Sequence, residues 1–479
     1  MVYYAILLGC LLAQSNLRVN SNRAGFLALA QLTPVFLFGS KNSPAAFLLG
    51  RGYEKLNVLH RWSGRGIWLM ATVHGSLWIN QYLRAGQPAY LTTMKPRLGM
   101  AAYATLCMIV ILSLRPVRKR FYGLFYFTHI VAVIVFFVII TYHTPYTIPW
   151  IFPPVAIYSL DLFLRLLRYR IKDAHLESRD TQMTLVHIPH VTGGWVAGQH
   201  VNLRVLFPQG WAESHSLTIL NAPRETSALT VTPQADNYYP SGPVTPSQSD
   251  VHPGGLTLAV RACGDWTRAL NAFAQAGPGS KGREHATVIL DGPYGGSSLD
   301  FGDFESVLLV SGGSGVTFTL GILDDLVGRI VKLRRSRGER TRRVVFAWYI
   351  RSFGAIAWFE RYFMAIARAA SAIRAGDGEK EGEVEIDVQF RVFVTCLCNP
   401  EAVPLIPKLT VEIAKPSISE LLAPLLDETR LTGVAGGVGV AASGPESLTR
   451  TAQNAVASVG VREAAAVGGV EVHTELFSI

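Results

Sequence analysis

Two fifteen-residue stretches, HRWSGRGIWLMATVH at 60–74 and HIVAVIVFFVIITYH at 129–143, decide how the chain is to be read. Each opens and closes on histidine and is largely apolar between. On a helix, a step of 14 residues rises about 21 Å and returns to within about 40° of the same face. Each stretch therefore offers two imidazoles on one side of a helix, at two depths. Ionisable side chains in an apolar span are costly and turn to the bundle interior, and histidine is a common axial ligand of haem iron. Equal spacings on two co-directional spans predict two bis-histidine sites, His60 with His129 and His74 with His143. For any one of these residues a satisfied core histidine is the simpler reading, but the matched spacings and depths argue against it.

Further apolar runs surround these two. Spans are expected at about 24–40, 62–83, 98–114, 122–142 and 148–167. The N-terminal MVYYAILLGCLLAQ is too short to cross comfortably and reads either as a short span or as the remnant of a longer N-terminus. The loops 41–61 and 115–120 carry eight Lys and Arg, against five in the alternate loops. That bias places the first set in the cytosol, and with it the segment RLLRYRIKD and all that follows. Composition agrees: of 479 residues 49% are hydrophobic and 16% charged, where a soluble chain carries about 25% charged. The deficit lies in the first 167 residues, and mean hydropathy is +0.27. The net charge of +10 sits largely in loops between apolar runs and in Lys332 to Arg343, so no nucleic-acid partner is expected. Among five cysteines, Cys396 and Cys398 lack a second pair, which argues against a zinc site or a disulfide framework.

From about residue 180 short alternating runs appear: QMTLVHI, HVNLRVLF, SLTIL, ALTVTP and LTLAVRA, separated by Pro and Gly. These predict antiparallel strands closing into a barrel. Among them, His215-Ser216-Leu217-Thr218 sets an aromatic donor and hydroxyls on one strand, suited to a flavin ring. Gly264-Asp265-Trp266-Thr267 reads as a turn into a helix, whose first amides suit a pyrophosphate. Residues 306–331, SVLLVSGGSGVTFTLGILDDLVGRIV, read as buried strand, glycine turn and helix, the opening of a dinucleotide-binding α/β fold. Gly312, Gly313, Ser314, Gly315, Val316 and Thr317 form its turn. The next strand, RRVVFAWYI, is followed by Arg351 and no acid, which favours NADP over NAD. Residues 374–386 read as a charged loop. Ser443-Gly444-Pro445-Glu446-Ser447-Leu448 reads as the end of a late strand, a tight turn and a helix start. Phe477, in the final HTELFSI, either lies over a flavin or packs in the core.

In this order the motifs resemble the fungal ferric-chelate reductases, which belong with the NADPH oxidases in one flavocytochrome superfamily. Asn22-Arg23-Ala24-Gly25 and His60 to Arg65 look like the family's membrane segments, and equal 14-residue spacings suit the reductases better than the oxidases. The resemblance implies a multi-domain membrane protein with an all-α transmembrane haem bundle over 1–167. A ferredoxin-reductase-like β-barrel FAD domain follows over 175–300, then an α/β NADPH-binding domain over 301–479. It implies His60, His74, His129 and His143 as ligands of two b-type haems. His215 to Thr218, with Gly264 and Thr267, would meet FAD, and Gly312 to Thr317, with Arg351, would meet NADPH. Ser443, Gly444, Pro445 and Phe477 would lie beside these cofactors. The implied activity is transmembrane electron transfer from cytosolic NADPH through FAD and two haems to extracytosolic ferric chelates or cupric ions, releasing reduced metal for uptake. The alternative is an NADPH oxidase reducing oxygen to superoxide. The implied setting is multi-pass, in the plasma membrane, with an iron permease or an oxidase as the kind of partner protein. Three positions depart from the family: Ser216 where Pro is usual, Ser443 where Cys is common, and Ile479 where an aromatic is frequent. A transporter with histidines along a polar path gives no reason for the glycine turn, and a silent structural relative would hold no flavin.

Overall fold

The computed structural model describes residues 2–13, 16, 20–50, 52–231, 254–276, 283–371, 386–396 and 404–477. Of the loop expected over 374–386 all but the last residue lies outside them, as do Cys398 and Ile479. The chain divides into two compact units, Met1–Leu167 and Arg168–Ile479.

The first unit is helical: α1 (Val2–Leu12), α2 (Asn22–Ala30), α3 (Leu32–Gly39), α4 (Pro44–Leu49), α5 (Tyr53–Arg84), α6 (Met94–Leu112), α7 (Arg115–Arg120), α8 (Tyr122–His143) and α9 (Ile148–Arg168). Among the described residues three helical stretches are long and apolar enough to cross a membrane: Met94–Leu112, Tyr122–His143 and Pro145–Arg168. The span expected over 24–40 is instead two helices that meet at Gln31. Pro34, at the third position of α3, has no N–H to offer the Ala30 carbonyl one turn back. The 32-residue α5 starts at Tyr53, so His60 lies within a helix and not in a loop preceding one. The expected loop 41–61 also contains α4, and the basic stretch 115–120 is itself α7. Met70, Leu106, Phe136 and Ile140 pack with Ala24 and Ala28 into a core shared by α2, α5, α6 and α8.

The second unit holds two six-stranded sheets. The first comprises β1 (Arg170–Ser178), β2 (Met183–Ile188), β3 (Gln199–Val205), β4 (His215–Thr218), β5 (Leu256–Arg261) and β6 (Arg283–Gly295). Its order is β4-β3-β6-β1-β2-β5 with every pairing antiparallel. A bridge from Ile219 to Leu258 brings its two edges together, so the barrel is nearly closed. Alternation sends Leu176, Val186 and Ala286 inward, where α10 (Asp265–Gln275) adds Trp266, Leu270 and Ala274 to the core. Over residues 228–231, the described part of ALTVTP, the expected strand is not formed. Residues Ala228–Thr230 make a 3₁₀ turn, because the Leu229 amide donates to Ser227 Oγ at 3.2 Å and to Asp324 Oδ1 at 3.1 Å. Those side chains take the hydrogen bond that a neighbouring strand would have needed.

The second sheet alternates with helices: β7 (Ser306–Gly312), α11 (Val316–Val331), β8 (Arg343–Ile350), α12 (Ile356–Ser371), β9 (Asp387–Val394), β10 (Leu409–Glu412), α13 (Ile418–Thr432), β11 (Val438–Gly444), α14 (Glu446–Ala457), α15 (Val461–Val467) and β12 (Val470–Leu476). The order is β10-β9-β8-β7-β11-β12, all parallel. Helices cover both faces, so β7 and β11 are almost wholly buried. The strand order reverses between β7 and β11. At such a point the carboxyl ends of the strands leave a crevice, the usual ligand position in open α/β sheets.

Candidate functional site

In the first unit three of the four imidazoles are held by neighbouring backbone. His60 Nδ1 lies 2.8 Å from the Val35 carbonyl oxygen, His74 Nδ1 2.9 Å from that of Ser21, and His143 Nδ1 2.8 Å from that of Lys95. A carbonyl only accepts, so each Nδ1 carries the proton and donates, and Nε2 is left as the bare nitrogen. His129 has weaker backing: its Nδ1 is 3.5 Å from Ser113 Oγ, whose own hydrogen goes to the Ile109 carbonyl at 2.6 Å. Glycine makes room for three of the rings. A Cβ on Gly39 would fall 2.7 Å from His60, one on Gly99 2.8 Å from His143, and one on Gly25 3.0 Å from His74.

The donor set fits haem iron. Two imidazoles sharing a metal through nitrogens about 2 Å away have centroids roughly 6 Å apart. The rings of His60 and His129 are 6.2 Å apart. A carbonyl on the far ring nitrogen is the usual second-shell partner of a ligating histidine. His74 and His143 stand fourteen residues further along α5 and α8.

In the second unit the four residues of β4 do not share one face. Leu217 leans on the barrel core, and the His215 ring packs on Trp266 with centroids 4.1 Å apart. Ser216 and Thr218 alternate to the other side. The His215–Trp266 contact brings β4 to the first turn of α10. There the helix begins at Gly264 with no side-chain cap, and the space beside Gly264 is open. Uncapped first-turn amides facing open space fit a pyrophosphate. Thr267 is committed locally: its Oγ1 accepts from the amides of Cys263 and Gly264, both at 2.9 Å.

At the switch point the two glycine-containing turns meet. A Cβ on Gly315 would stand 2.3 Å from the Ser443 carbonyl oxygen, so the turn after β7 touches the end of β11 backbone to backbone. Gly313 takes a left-handed φ of +55°, and its carbonyl accepts from Trp348 Nε1 at 2.9 Å. Val316 and Thr317 are buried and offer a ligand only their amides at the start of α11. Arg351 is exposed at the carboxyl end of β8, beside the strand that carries the glycine turn. Ser443 is fully buried, and its Oγ has no hydrogen-bond partner among the described residues. Phe477 donates its amide to the Gly444 carbonyl at 2.9 Å while its side chain leans on the core beneath the sheet. A glycine turn at the reversal of strand order, with an exposed arginine on the next strand, fits a 2′-phosphorylated dinucleotide.

Two residues of this region escaped the sequence reading. Arg261, the last residue of β5, places Nη1 3.3 Å from where a Gly313 Cβ would stand, so the barrel reaches the glycine turn. Its only sequence signal is its position just before the α10 turn. Asp324, on α11, is wholly buried and accepts from the Ala222 amide at 2.7 Å, from Ser227 Oγ at 2.8 Å and from the Leu229 amide. It ties the segment following β4 to the helix following the glycine turn. Burial pushes its carboxyl up to about 7, against the pull of these hydrogen bonds.

Two family models match the chain: a ferric reductase like transmembrane component over residues 24–140, and a ferric reductase NAD binding domain over 304–375. The first range contains His60, His74 and His129, and the second contains the glycine turn and Arg351. Ferric reductase transmembrane component 6 of Saccharomyces cerevisiae is 27% identical, over 62% of this chain and 40% of that one. Ferric/cupric reductase transmembrane component 2 of Schizosaccharomyces pombe is 26% identical, over 65% and 59%. Probable cell surface ferric reductase kap2 of Aspergillus oryzae is 29% identical, over 70% and 44%. The chain thus spans about half the length of the curated relatives it matches.

Proposed function

We propose that this chain, which matches two ferric reductase family models, is a ferric reductase that carries electrons from cytosolic NADPH across a membrane to a ferric chelate or a cupric ion. The observation that carries this reading is the pairing of His60 with His129 at metal-sharing distance, with the Nδ1 of His60 fixed by a carbonyl. When bound, FAD takes the two electrons of a hydride and passes them on singly, and haem iron carries one at a time.

The chain's own residues do the holding and the orienting. Gly312 to Gly315 let nucleotide phosphates close on the backbone where β7 meets α11, and Arg351 meets a 2′-phosphate. Ser216 and Thr218 turn their hydroxyls towards a flavin ring, and the amides at the start of α10 take its pyrophosphate. His60 with His129, and His74 with His143, hold two irons at two depths. Loop charge orients the chain: residues from 168 onward face the cytosol, and His74 and His143 lie towards the outer surface. The plasma membrane is the setting that gives an external ferric chelate access, and an iron permease or an oxidase is the class of partner that would consume the product.

Sealed right-side-out vesicles loaded with NADPH test this. An impermeant ferric chelate outside is reduced, and the same chelate with NADPH outside only is not. Reduction driven by external NADPH in intact vesicles would overturn the orientation. Loss of chelate reduction in His60→Ala, with NADPH-to-dye transfer kept, is expected if electrons pass through the inner site. Undiminished chelate reduction in that variant refutes the two-haem path.

A further inference from the structure

The outer face of the barrel carries a row of three histidines that the electron path does not use. Strand register sets His175 on β1 opposite both His187 on β2 and His285 on β6. The rings of His175 and His285 stand edge to face with centroids 4.4 Å apart, and His187 lies 6.4 Å from His175 with its ring nearly parallel. Because Leu176, Val186 and Ala286 point inward, alternation puts all three imidazoles on the outside. They line a cavity of about 280 Å³ between the barrel wall, the segment 221–230 and α12. None of the residues assigned to flavin, nucleotide or haem lies in its lining.

The wall is polar and unbalanced in charge. Asn221, Ser227 and Thr257 form its buried floor, and Arg224 and Arg361 line it with cations. Lys332, at the end of α11, reaches the same place: its Nζ donates to Thr230 Oγ1 at 2.8 Å and to the Arg224 carbonyl. Glu177 is the one carboxylate in the lining among the described residues, and it is already engaged. One oxygen takes Arg179 at 3.0 Å and the other Arg361 at 2.9 Å. Burial raises the Glu177 pKa, but the two guanidiniums outweigh burial and hold the carboxyl below its ordinary range. Burial also keeps the phenol of Tyr362 neutral. A metal ion is the obvious rival for three imidazoles. Among the described residues, however, no three His, Cys, Asp or Glu converge to hold one, and a cation would face Arg224, Arg361 and Lys332.

We propose that this cavity binds a small phosphate-bearing anion, gripped by Arg224 and Arg361 and flanked by His175, His187 and His285. Its volume stands at the foot of the range for ligand pockets, about 300 Å³ and upward. It suits inorganic phosphate or a compact phosphate monoester rather than a dinucleotide. Guanidinium forks and imidazolium N–H groups are strong donors to phosphoryl oxygens. A ligand here touches both the barrel and α12 of the nucleotide half, and its binding would brace the two against each other.

Equilibrium dialysis of the whole solubilised chain, with cofactors loaded, tests the proposal, using radiolabelled inorganic phosphate in one arm and glycerol phosphate in another. One saturable site per chain is expected. Arg224→Ala and His175→Gln should each weaken it about tenfold, a loss of about 1.4 kcal/mol. Binding should be unaffected by Arg351→Ala. A flavin spectrum equal to wild type certifies each variant, and the exposed His285→Gln replaces any that misfolds. Preference for phosphate over glycerol phosphate identifies a free-anion site, and the reverse identifies an ester site. The proposal is overturned by the absence of saturable binding, by binding that survives the variants, or by binding displaced by NADPH. Stoichiometric zinc uptake without phosphate uptake overturns it too.

Discussion

In the membrane unit four side chains stand at chosen depths, and the backbone around them is arranged to serve them. Carbonyls of Val35, Ser21 and Lys95 hold ring nitrogens, and Gly39, Gly25 and Gly99 leave room for the rings. In the second unit the roles are exchanged. There the turn after β7 and the start of α10 present backbone, while the side chains of Val316, Thr317 and Thr267 are buried or bonded locally. The difference teaches where each unit is fragile. The first should fail when a side chain is removed, and the second when one is added.

The largest effect is expected where a ring is deleted. His74→Ala and His143→Ala should each lose about half of the bound haem and abolish reduction of an external chelate, while flavin content stays at the wild-type level. Full haem content in both variants, read from the reduced spectrum, would break the membrane side of the comparison. Next comes a methyl added in the second unit. In Gly315→Ala the new Cβ meets the Ser443 carbonyl and must push the turn from β11. A displacement of about 1 Å at a reacting geometry costs on the order of 100-fold, so NADPH-driven flavin reduction in a stopped-flow trace should fall by that order with haem unchanged. An unaltered rate would remove the turn from the nucleotide site.

Arg351→Ala sharpens the comparison, being the one place where the nucleotide half is expected to rely on an exposed side chain. A charge-assisted bond is worth about 1.5–3 kcal/mol, so KM for NADPH should rise at least about tenfold and KM for NADH much less. Equal changes would show that Arg351 does not read the 2′-phosphate. The smallest effect concerns Asp324. Its carboxyl is raised from 3.8 to about 7, so between those values the native state keeps a proton that the unfolded chain has released. Stability of the second unit should therefore fall as pH rises from about 4 to about 7 and level off above, where the buried charge must be carried. Asp324→Asn should abolish that slope in thermal release of flavin. It should also cost about 1–3 kcal/mol for the mismatched donors around it. A slope that persists in the variant assigns the pH dependence to other groups.

Much of this was legible because some signals are local. The His60–His74 and His129–His143 spacings, and the strand-turn-helix around Gly312 to Gly315, each lie within a few turns of chain. Pro34 also stood in plain sight, and the continuous span expected over 24–40 overlooked the hydrogen bond it removes. Other features depend on residues far apart. The amide of Leu229 is taken by Asp324, 95 positions away, and no run of alternating residues around ALTVTP could reveal that. Arg261 meets Gly313, and His175 meets His187 and His285, only because particular strands pair. The hydroxyls of β4 and its inward residues separate only once the barrel fixes which face is inside.

The unequal backing of the imidazoles has a consequence in volts. Under the proposed ligation His74 and His143 both donate to carbonyls, whereas the other pair has one carbonyl, for His60, and only the long contact of His129 with Ser113. A carbonyl drawing on Nδ1–H makes an imidazole a stronger donor to iron, which favours the ferric state and lowers the midpoint potential. Two separate waves should then appear in a redox titration, the more negative belonging to the pair nearer the outer surface. With haems held in this way and this orientation, His60 and His129 would hold the iron on which an electron rests longer, and His74 and His143 the one from which it leaves more readily.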